Sequence, residues 1–557
     1  MFRTRSDGIQ IGYDSIRIPA RNGTDFGPQN NQVVFDLTRN VGMADLSNSY
    51  LEADVTIVPG TDTPRARFNP TCGFQSAIRT LNIRSEGRII EQLNNYNIYA
   101  NLHYASSSDE GVTNQRERTE GCAKDLQQVN NSWYASNVHN TATDVETTIR
   151  AKPITNKICM PLLGGLFQTS KMYPLMASPL EVEMILDEPE MCISIVEGVT
   201  DVPLADKGAG ADKKEWNLSQ ESSDAFGAAP ASVDIAAANN SRVGCCAFNV
   251  GDNVVISGTD SGTPFTTDTT ITAIEEEGGG NLIKITVADD TTLTAVVTDA
   301  QITAVDSANR VNVNSNQTIS YKIENPRIVI SKVIPPPAQV QKVAQAMAKG
   351  QYTYNITSYT DYMNAIDKDV TSSTNIIPAD LTRVKSILCA PILQQAKGNA
   401  DGCKAVRGSL QHAKDYQFQV NNVLTPDRRV DLGKIGGNKG AFPTTTSPYP
   451  LPQYALGSKY NGLYLYEVEK ALSAGNIPVR NLEFLSQAAL QGRKSGKGSE
   501  VLGRRMGPYG LSQNLLGIST ILYLNYSQTR SASTLLHNFV THIRTINISP
   551  AGVQVFY

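Results

Sequence analysis

The sequence predicts an all-β protein with two strand-rich halves. Short segments in which apolar and polar residues alternate recur through most of the 557 residues, and this period-two pattern is typical of half-buried strands. The 42 glycines and 27 prolines are spread between these segments, where they favour turns. The second half shows the same alternating segments as the first. A chain of this length has room for two or three domains with substantial cores.

Composition and charge argue against several classes of protein. Lys and Arg total 49 against 53 Asp and Glu, whereas dedicated nucleic-acid binders carry a basic excess. Charged residues make up 18% of the chain, which fits neither a coiled coil nor a disordered polyelectrolyte. Apolar runs are far shorter than the ~20 residues of a membrane-spanning helix. The first residues lack the apolar segment of a secretory signal, so we expect no secretion by a signal peptide. The eight cysteines form no Cys-x-x-Cys pair, which favours reduced thiols.

The first half begins with a polar, turn-rich segment, residues 1–30, which we interpret as an N-terminal arm. A first β domain is expected over 31–334. Leu81–Leu93 predicts two strands around a turn at Ser85–Gly87. Further strands are predicted where apolar and polar residues alternate, at Leu51–Val58, Leu180–Ile185 and Tyr321–Val333.

A smaller unit interrupts this first domain over residues 205–310. Residues 205–243 are rich in Gly, Ala, Ser and Asn and resemble a linker. From about 245–305, short strand segments predict a small β-barrel of about the size of an SH3 domain, with Glu275–Gly280 as one of its turns. An insertion of this length suits an independent lobe better than an unstructured loop.

The second half is separated from the first by a predicted linker helix at 335–350, where three prolines precede an Ala- and Gln-rich segment closed by Gly350. A second β domain is expected over 351–557. Tyr460–Ser473 predicts a helix, because its apolar residues have helical spacing. Strands are predicted at Tyr352–Ile356, Arg383–Cys389, Tyr416–Val420, Thr520–Tyr526, Thr545–Ile548 and Val553–Tyr557.

No catalytic, cofactor-binding or metal-binding residue emerges from the sequence, and we expect a non-enzymatic protein without a cofactor. The five histidines show no His-Glu-x-x-His or His-x-His spacing; they are His103, His139, His412, His537 and His542. Gly492–Gly498 is basic and glycine-rich but fails the phosphate-loop pattern. We interpret it as a loop between elements; the alternative is an electrostatic contact with a neighbouring subunit or a polyanion.

Two groups of tyrosines could stack on a sugar or a base. Tyrosine is also common in strands and subunit interfaces, so we favour a place in the core or in an interface over ligand binding. The two groups are Tyr352, Tyr354, Tyr359 and Tyr362, and Tyr460, Tyr464 and Tyr466.

Several segments occur in an order that is known from one family. In the second half these are Tyr416–Pro426, Leu463–Leu472, Gly517–Tyr526, Leu535–Val540 and Thr545–Tyr557; in the first half they are Ser49–Val58, Leu180–Ile185 and Tyr321–Val333. In this order and character the chain resembles the double jelly-roll major capsid proteins of the tectivirus–adenovirus lineage, which includes virophages, polinton-like viruses and large eukaryotic DNA viruses. The resemblance covers roughly residues 30–200 and 321–557.

This resemblance implies two eight-stranded jelly-roll sandwiches side by side, with a small inserted β-barrel and a few short helices. It also implies a homotrimer whose pseudo-hexagonal capsomers tile an icosahedral shell, with penton and minor capsid proteins as further partners. The protein would be made inside the host cell and reside in the virion, with no small-molecule substrate and no specific nucleic-acid binding. Two alternatives stay open. One is a carbohydrate-binding or carbohydrate-cleaving β-sandwich protein, and the other is a viral attachment protein whose inserted barrel binds a receptor.

Overall fold

We describe a computed structural model of the chain. It describes residues 12–58, 66–69, 71–108, 116, 119–122, 155–195, 202–203, 215–217, 253–260, 263–277, 282–288, 297–304, 320–394, 413–432, 462–480, 501–508, 511–526 and 533–556. Strands dominate this part of the chain, as the sequence predicts, and every recorded strand pair is antiparallel.

The first roll is a sandwich of two sheets. Its eight main strands are β1 (Gly12–Pro19), β3 (Gln32–Leu37), β4 (Met43–Val58), β6 (Ile78–Ser85), β7 (Arg88–Asn94), β8 (Thr155–Pro161), β10 (Leu180–Leu186) and β18 (Ser320–Ile334). One sheet has the order β1-β18-β4-β8, and the other β3-β10-β6-β7. Four shorter strands extend the roll: β2 (Asp25–Phe26) on β18, β9 (Tyr173–Pro174) on β4, and the pair β5 (Ala66–Phe68) and β11 (Ile193–Ile195).

The second roll has the same construction. Its eight main strands are β19 (Tyr352–Ile366), β20 (Ser372–Ile377), β21 (Val384–Leu393), β22 (Ala413–Val420), β23 (Val423–Asp431), β24 (Leu502–Arg505), β25 (Thr520–Tyr526) and β26 (Thr534–Ser549). The sheets have the orders β19-β26-β21-β24 and β20-β25-β22-β23, and the closing strand β27 (Gly552–Phe556) pairs with β26.

The strand order identifies both halves as jelly rolls. In each roll, one sheet contains the first, eighth, third and sixth strands in that order, and the other contains the second, seventh, fourth and fifth. Two interlocked Greek keys of eight strands give this arrangement. The predicted pair of jelly rolls is therefore confirmed by the chain's own topology.

Four α-helices lie with both ends inside the described residues: α1 (Tyr96–Ser107), α2 (Pro189–Cys192), α3 (Pro337–Ala348) and α4 (Gly462–Ala474). Helices α1 and α4 occupy the same place in their rolls, between the fifth and sixth strands. Helix α3 lies between the rolls in sequence, where the three prolines predict a helix start. Helix α4 matches the helix predicted at Tyr460–Ser473.

The N-terminal segment differs from the prediction. The sequence analysis places residues 1–30 in an arm, but Gly12–Pro19 forms β1, the edge strand that pairs with β18 along its whole length. Most β1 residues are exposed, because the strand covers the core with Ile16 and Ile18 alone. A strand with so little burial shows weak alternation, which explains why the sequence does not reveal it. Residues 1–11 lie outside the described residues.

The insertion is an all-β lobe between β11 and β18. Its strands are β12 (Val202–Pro203), β13 (Glu215–Asn217), β14 (Asn253–Asp260), β15 (Thr263–Glu277), β16 (Leu282–Val287) and β17 (Val297–Ala304), paired in the order β12-β17-β14-β15-β16-β13. Two of them lie before residue 245, outside the predicted barrel, and Trp216 on β13 is buried beside Phe265. Glu275–Glu277, predicted as part of a turn, continues β15 because it pairs with β16.

The two rolls share one core, and the lobe has another. A single cluster of buried apolar side chains runs from the first roll, for example Leu81 and Val182, into the second, for example Phe418 and Leu522. The buried side chains of the lobe, among them Trp216, do not belong to this cluster. The rolls are therefore packed together as one body.

Candidate functional site: the seam between the two rolls

The seam is the surface on which the first roll meets the second. The first roll contributes β7, α1 and the Gly164–Tyr173 turn, and the second roll contributes β19 and β26. Strand β7 is the edge of its sheet, and so is β19. A Cβ added at Gly165 would lie 2.2 Å from the carbonyl oxygen of Thr357, so the two backbones meet at a distance that only glycine allows.

Aromatic side chains fill the centre of the seam. The ring of Tyr99 on α1 stacks on Tyr359 of β19 with centroids 4.0 Å apart, and Phe539 of β26 meets both rings edge-on. The Tyr359 hydroxyl donates to the carbonyl oxygen of Asn94 at 3.2 Å. All three rings are buried. Burial of such rings, together with their offset geometry, is among the strongest sources of packing energy.

A second set of tyrosines, on the second roll, binds the Gly164–Tyr173 turn of the first roll. The hydroxyls of Tyr352 and Tyr354 both donate to the carbonyl oxygen of Met172, at 2.9 and 2.5 Å. The ammonium group of Lys171 lies over both rings, 4.1 and 4.6 Å from their centroids, and donates to the carbonyl oxygen of Thr353 at 2.6 Å. Burial lowers the pKa of Lys171, and the two aromatic faces and the carbonyl offset part of that cost.

A buried carboxylate crosses the seam at Glu91 of β7. It is fully buried and accepts hydrogen bonds from the amides of Gly165, at 2.9 Å, and Leu166, at 3.3 Å. Burial raises its pKa, while Arg544 of the second roll and the two amides oppose that shift. Arg544 is also buried and donates to the carbonyl oxygen of Ile90 at 3.1 Å. The positive charge of Arg544 thus favours the ionised form of Glu91 from across the seam.

His542 completes this polar cluster. Arg544 Nε donates to His542 Nε2 at 3.0 Å, so the ring proton is assigned to Nδ1, which donates to the carbonyl oxygen of Val540 at 3.1 Å. Burial, helped by the positive charge of Arg544, lowers the pKa of His542 to about 4. The histidine is therefore neutral at physiological pH.

A further polar link lies toward the other end of β26. His537 Nδ1 is 2.9 Å from the carboxylate of Asp361 on β19, and both side chains are buried. Asn95, just before α1, donates to the same carboxylate oxygen at 2.7 Å. At the periphery, Arg88 donates to the carbonyl oxygen of Val553 at 2.8 Å. The bonds of Asn95 and Arg88 join the two rolls, and His537 holds the Asp361 carboxylate from within the second roll.

The arrangement fixes geometry rather than performing chemistry. Most of its buried polar groups bond to backbone amides, to carbonyls or to one another, while His537 Nε2 and Asp361 Oδ1 are buried without a hydrogen-bond partner. Hydrogen-bonded buried networks of this kind impose one relative orientation on the parts they join. The seam therefore makes the two rolls one rigid block.

The structure brings one predicted tyrosine group together and bears out its interpretation. Tyr352, Tyr354 and Tyr359 are buried in the seam, as expected for core or interface residues, and the fourth member, Tyr362, is half-buried against the same core. In the other group, Tyr464 is buried and Tyr466 is 52% exposed. Of the histidines, His103, His537 and His542 are buried. His139, His412, Tyr460 and Gly492–Gly498 lie outside the described residues.

The charged seam residues were missed by the sequence analysis, although one of them has a local signal. Arg544 shares its strand parity with Ile546 and Ile548, which are buried, so a charge stands on the apolar face of β26. Such a position indicates a buried charge that needs a partner. Its partner Glu91 is more than 450 positions away and cannot be found from local pattern.

The described part of the chain contains no group of three or more His, Cys, Asp or Glu side chains suited to a metal ion. None of its helices has the length and apolar character needed to span a membrane.

No protein-family model and no curated protein matches the sequence. Comparison with solved structures, in contrast, gives matches along nearly the whole chain. The Faustovirus major capsid protein is 8% identical, with 99% of this chain and 92% of that chain covered and a TM-score of 0.49. A model of the PBCV-1 virus capsid is 9% identical, with 100% and 99% covered and a TM-score of 0.46. A structure of the Sputnik virophage is 10% identical, with 100% and 90% covered and a TM-score of 0.45.

At such low identity the likeness concerns the fold.

Proposed function

We propose that the chain is a major capsid protein that assembles as a homotrimer. Its pseudo-hexagonal capsomers would tile an icosahedral shell, which places the protein in the virion. The observation that carries this proposal is the seam, which locks two jelly rolls of identical strand order into one rigid block. Three such blocks supply six similar sandwiches around an axis, which is the geometry of a six-sided tile. The sequence resemblance to double jelly-roll capsid proteins supports the same function.

The role we propose is structural and non-enzymatic. Its partners are other copies of this chain, neighbouring capsomers, and penton and minor capsid proteins. In this arrangement the inserted lobe is an outer tower on the shell. The carbohydrate-binding alternative finds little support at the predicted tyrosines, because Tyr352, Tyr354 and Tyr359 are buried and offer no stacking platform.

The first test is the native mass of the purified protein by light scattering at micromolar concentration. One chain has a mass of 60.3 kDa, and we expect a particle of three times this mass, or shells built from it. Electron microscopy of concentrated protein then shows whether the particles are six-sided. A stable monomer contradicts the proposal, since a shell then lacks its building block.

A second test separates a capsid subunit from an attachment protein. We expect a variant without residues 205–310 to keep the trimer, because the lobe does not share the core of the rolls. The attachment protein would be favoured instead if the wild type has the mass of one chain and binds cells, and the variant without residues 205–310 no longer binds them.

A further inference from the structure

An open row of side chains lies on the second roll, on the face of β19 and β26 opposite buried Tyr354. Asn355 of β19, Thr545 of β26 and Phe556 of β27 stand side by side in register. Asn355 is exposed, and the ring of Phe556 is 53% exposed. Thr357 lies two residues farther along β19 on the same face, because strand side chains alternate. The open row is therefore accessible from solvent.

Two cationic side chains lie over the open row. Arg383, just before β21, donates from its guanidinium to Thr545 Oγ1, which in turn donates to Asn355 Oδ1 at 2.8 Å. Lys385 Nζ donates to Thr357 Oγ1 at 3.3 Å. Because Asn355 and Thr357 are two residues apart on one strand face, the two cationic groups are held about 7 Å apart. One phosphate group, or two successive phosphates of a strand, can bridge such a gap.

Neither cation has an acidic partner among the described residues. The exposed arginines of the first roll are paired, in contrast, as Arg21 is with Asp36 at 3.0 Å. Lys385 is half-buried, and burial is the one cause that lowers its pKa. An ammonium group has three donors and a guanidinium five. Most of the donors over the open row are therefore left to an anion from outside the chain.

The open row lies at the end of the second roll that is remote from the inserted lobe. The chain returns from the lobe to the first roll at Ser320, where β18 begins, and β18 ends at Ile334. Helix α3 leads from there to Tyr352, the first residue of β19, and the open row uses the first turn of residues on this strand. In the proposed capsomer the lobe points outward, so this end faces the interior of the shell, where a virus packs its nucleic acid.

We propose that the open row binds single-stranded nucleic acid, with Arg383 and Lys385 on the phosphates and Phe556 stacked on a base. An exposed ring beside cations is the means by which sequence-independent single-strand binders hold their ligand. The contact reads no sequence, and it is local, so the balanced charge of the whole chain does not oppose it. The position inside the shell rests on the proposed function, whereas the binding is testable on the free protein.

The first test measures the binding of a short fluorescent oligothymidine to the intact protein by anisotropy, at about 50 mM salt. Arg383→Gln combined with Lys385→Gln should weaken binding at least tenfold. Lys414→Gln combined with Arg428→Gln is the matched control, because it removes the same two charges from exposed positions on the other sheet of the same roll. The control should bind within about twofold of the wild type.

A salt series separates phosphate contacts from general attraction. For single strands, the slope of log affinity against log salt is about −0.7 per phosphate contact, so the loss of two contacts should make the slope shallower by about 1.4. The control pair should keep the wild-type slope. Lys385→Arg keeps the charge and should retain the wild-type affinity, and unfolding midpoints check that each variant is folded.

The ring is tested by Phe556→Ala, which alters an exposed side chain. We expect the affinity for the oligothymidine to fall at least threefold, because a base loses its stacking partner. Competition by inorganic phosphate should be unchanged, since phosphate needs the cations alone. A duplex should bind more weakly than the single strand, because its bases are not free to stack.

The outcomes separate this inference from the proposed function. Equal losses in the Arg383 and Lys385 pair and in the control pair overturn the inference, and so does an oligothymidine that binds no more tightly than inorganic phosphate. Binding to anionic phosphatidylglycerol vesicles without binding to the oligothymidine assigns the cations to lipid and also overturns it. Each of these results leaves the capsomer standing. A monomeric wild type that binds the oligothymidine through Arg383 and Lys385 overturns the capsomer and leaves the site.

Discussion

The two eighth strands, β18 and β26, occupy the same position in their rolls but have different surroundings. On β18, buried Tyr321 and Ile323 flank exposed Lys322, which is the expected alternation of a strand with one face in solvent. On β26, all residues from Leu536 to His542 are buried. Phe539 of β26 meets Tyr99 of α1, and Arg544, on the opposite face of the strand, donates to the carbonyl oxygen of Ile90, so both faces of β26 contact the first roll. The difference shows that identical topology does not fix burial, which depends on the neighbour that each roll acquires.

The same difference decides how each roll handles charge. On the outer face of the first roll, Glu52 is paired with Arg17 and Lys157, whose side chains are 63% and 56% exposed. Solvent screens such pairs, and they contribute little to stability. In the seam, Glu91 and Arg544 are buried, and the charge of Arg544 favours the ionised form of Glu91 without solvent to screen it. Removing one seam partner should therefore have a larger effect than removing one partner of the outer pair.

The largest expected effect comes from the aromatic centre of the seam. Tyr359→Ala removes a buried ring and its hydrogen bond to Asn94, and we expect it to lower the free energy of unfolding by about 4 kcal/mol. Denaturant titration measures the loss. Tyr466→Ala on α4 is the matched control, since its ring is 52% exposed, and it should change stability by no more than about 0.5 kcal/mol. Equal effects at the two tyrosines would show that the seam is not a core.

The charged cluster comes next. Arg544→Met leaves Glu91 buried without its cation, so we expect a loss of about 3 kcal/mol in the free energy of unfolding. Arg17→Met on the outer face should cost less than about 1 kcal/mol. Adding Glu91→Gln to Arg544→Met should restore part of the loss. If the double variant is no better than Arg544→Met alone, the two charges are not coupled.

The neutral histidine makes the seam sensitive to acid. The folded-state pKa of His542 is about 4, below the 6.5 of an ordinary histidine. The unfolded chain therefore binds the proton more tightly, and the stability that His542 contributes is present above pH 6.5 and is lost as the pH falls toward 4. By pH 5 this loss is about 2 kcal/mol. Titrations at several pH values should show a smaller decline for His542→Gln than for the wild type.

Other groups also respond to acid, so the useful quantity is the difference in stability between the wild type and His542→Gln at each pH. His103 has a pKa lowered to about 4 by burial, and it adds to the decline in both proteins. The raised pKa of Glu91 acts in the opposite direction, because its protonation favours the folded state as the pH falls. Parallel pH curves for the wild type and His542→Gln would contradict a buried neutral histidine at this position.

The smallest effect concerns the close approach of the backbones. Gly165→Ala places a Cβ against the carbonyl oxygen of Thr357, so the rolls must separate slightly, at a cost of about 1–2 kcal/mol. Gly462→Ala on α4 is the control, because a Cβ there meets nothing within 4 Å. The control should leave stability unchanged or raise it slightly, since alanine favours helix. A neutral Gly165→Ala would mean that the two backbones are not held in contact.

Local pattern predicted the elements whose burial their own roll determines. Strands β10 and β25 lie where alternation places them, at Leu180–Leu186 and Thr520–Tyr526, and α3 follows its prolines. In each case the apolar side chains face a core that is close by, so the period of the sequence records the structure. The exposed edge strand β1 was missed for the complementary reason, since a strand with little burial has little alternation to show.

The seam could be predicted only in part. Tyr352, Tyr354 and Tyr359 were expected in the core or an interface, because tyrosine combines a large apolar ring with one polar atom. Their partners, however, lie in the other roll at distant positions in sequence, such as Met172. Glu91 shows the limit most clearly, because its burial arises from the docking of a second domain and not from any pattern around it.

The separate core of the inserted lobe has a practical consequence. Its strands pair among themselves, and Trp216 anchors a small hydrophobic centre that the rolls do not share. The lobe can thus be replaced as a unit, and its place in the chain suits the insertion of a foreign domain such as an antigen or a fluorescent protein. Particles built from such a chimaera would display one copy of the cargo per subunit, at a density set by the lattice rather than by chemical coupling.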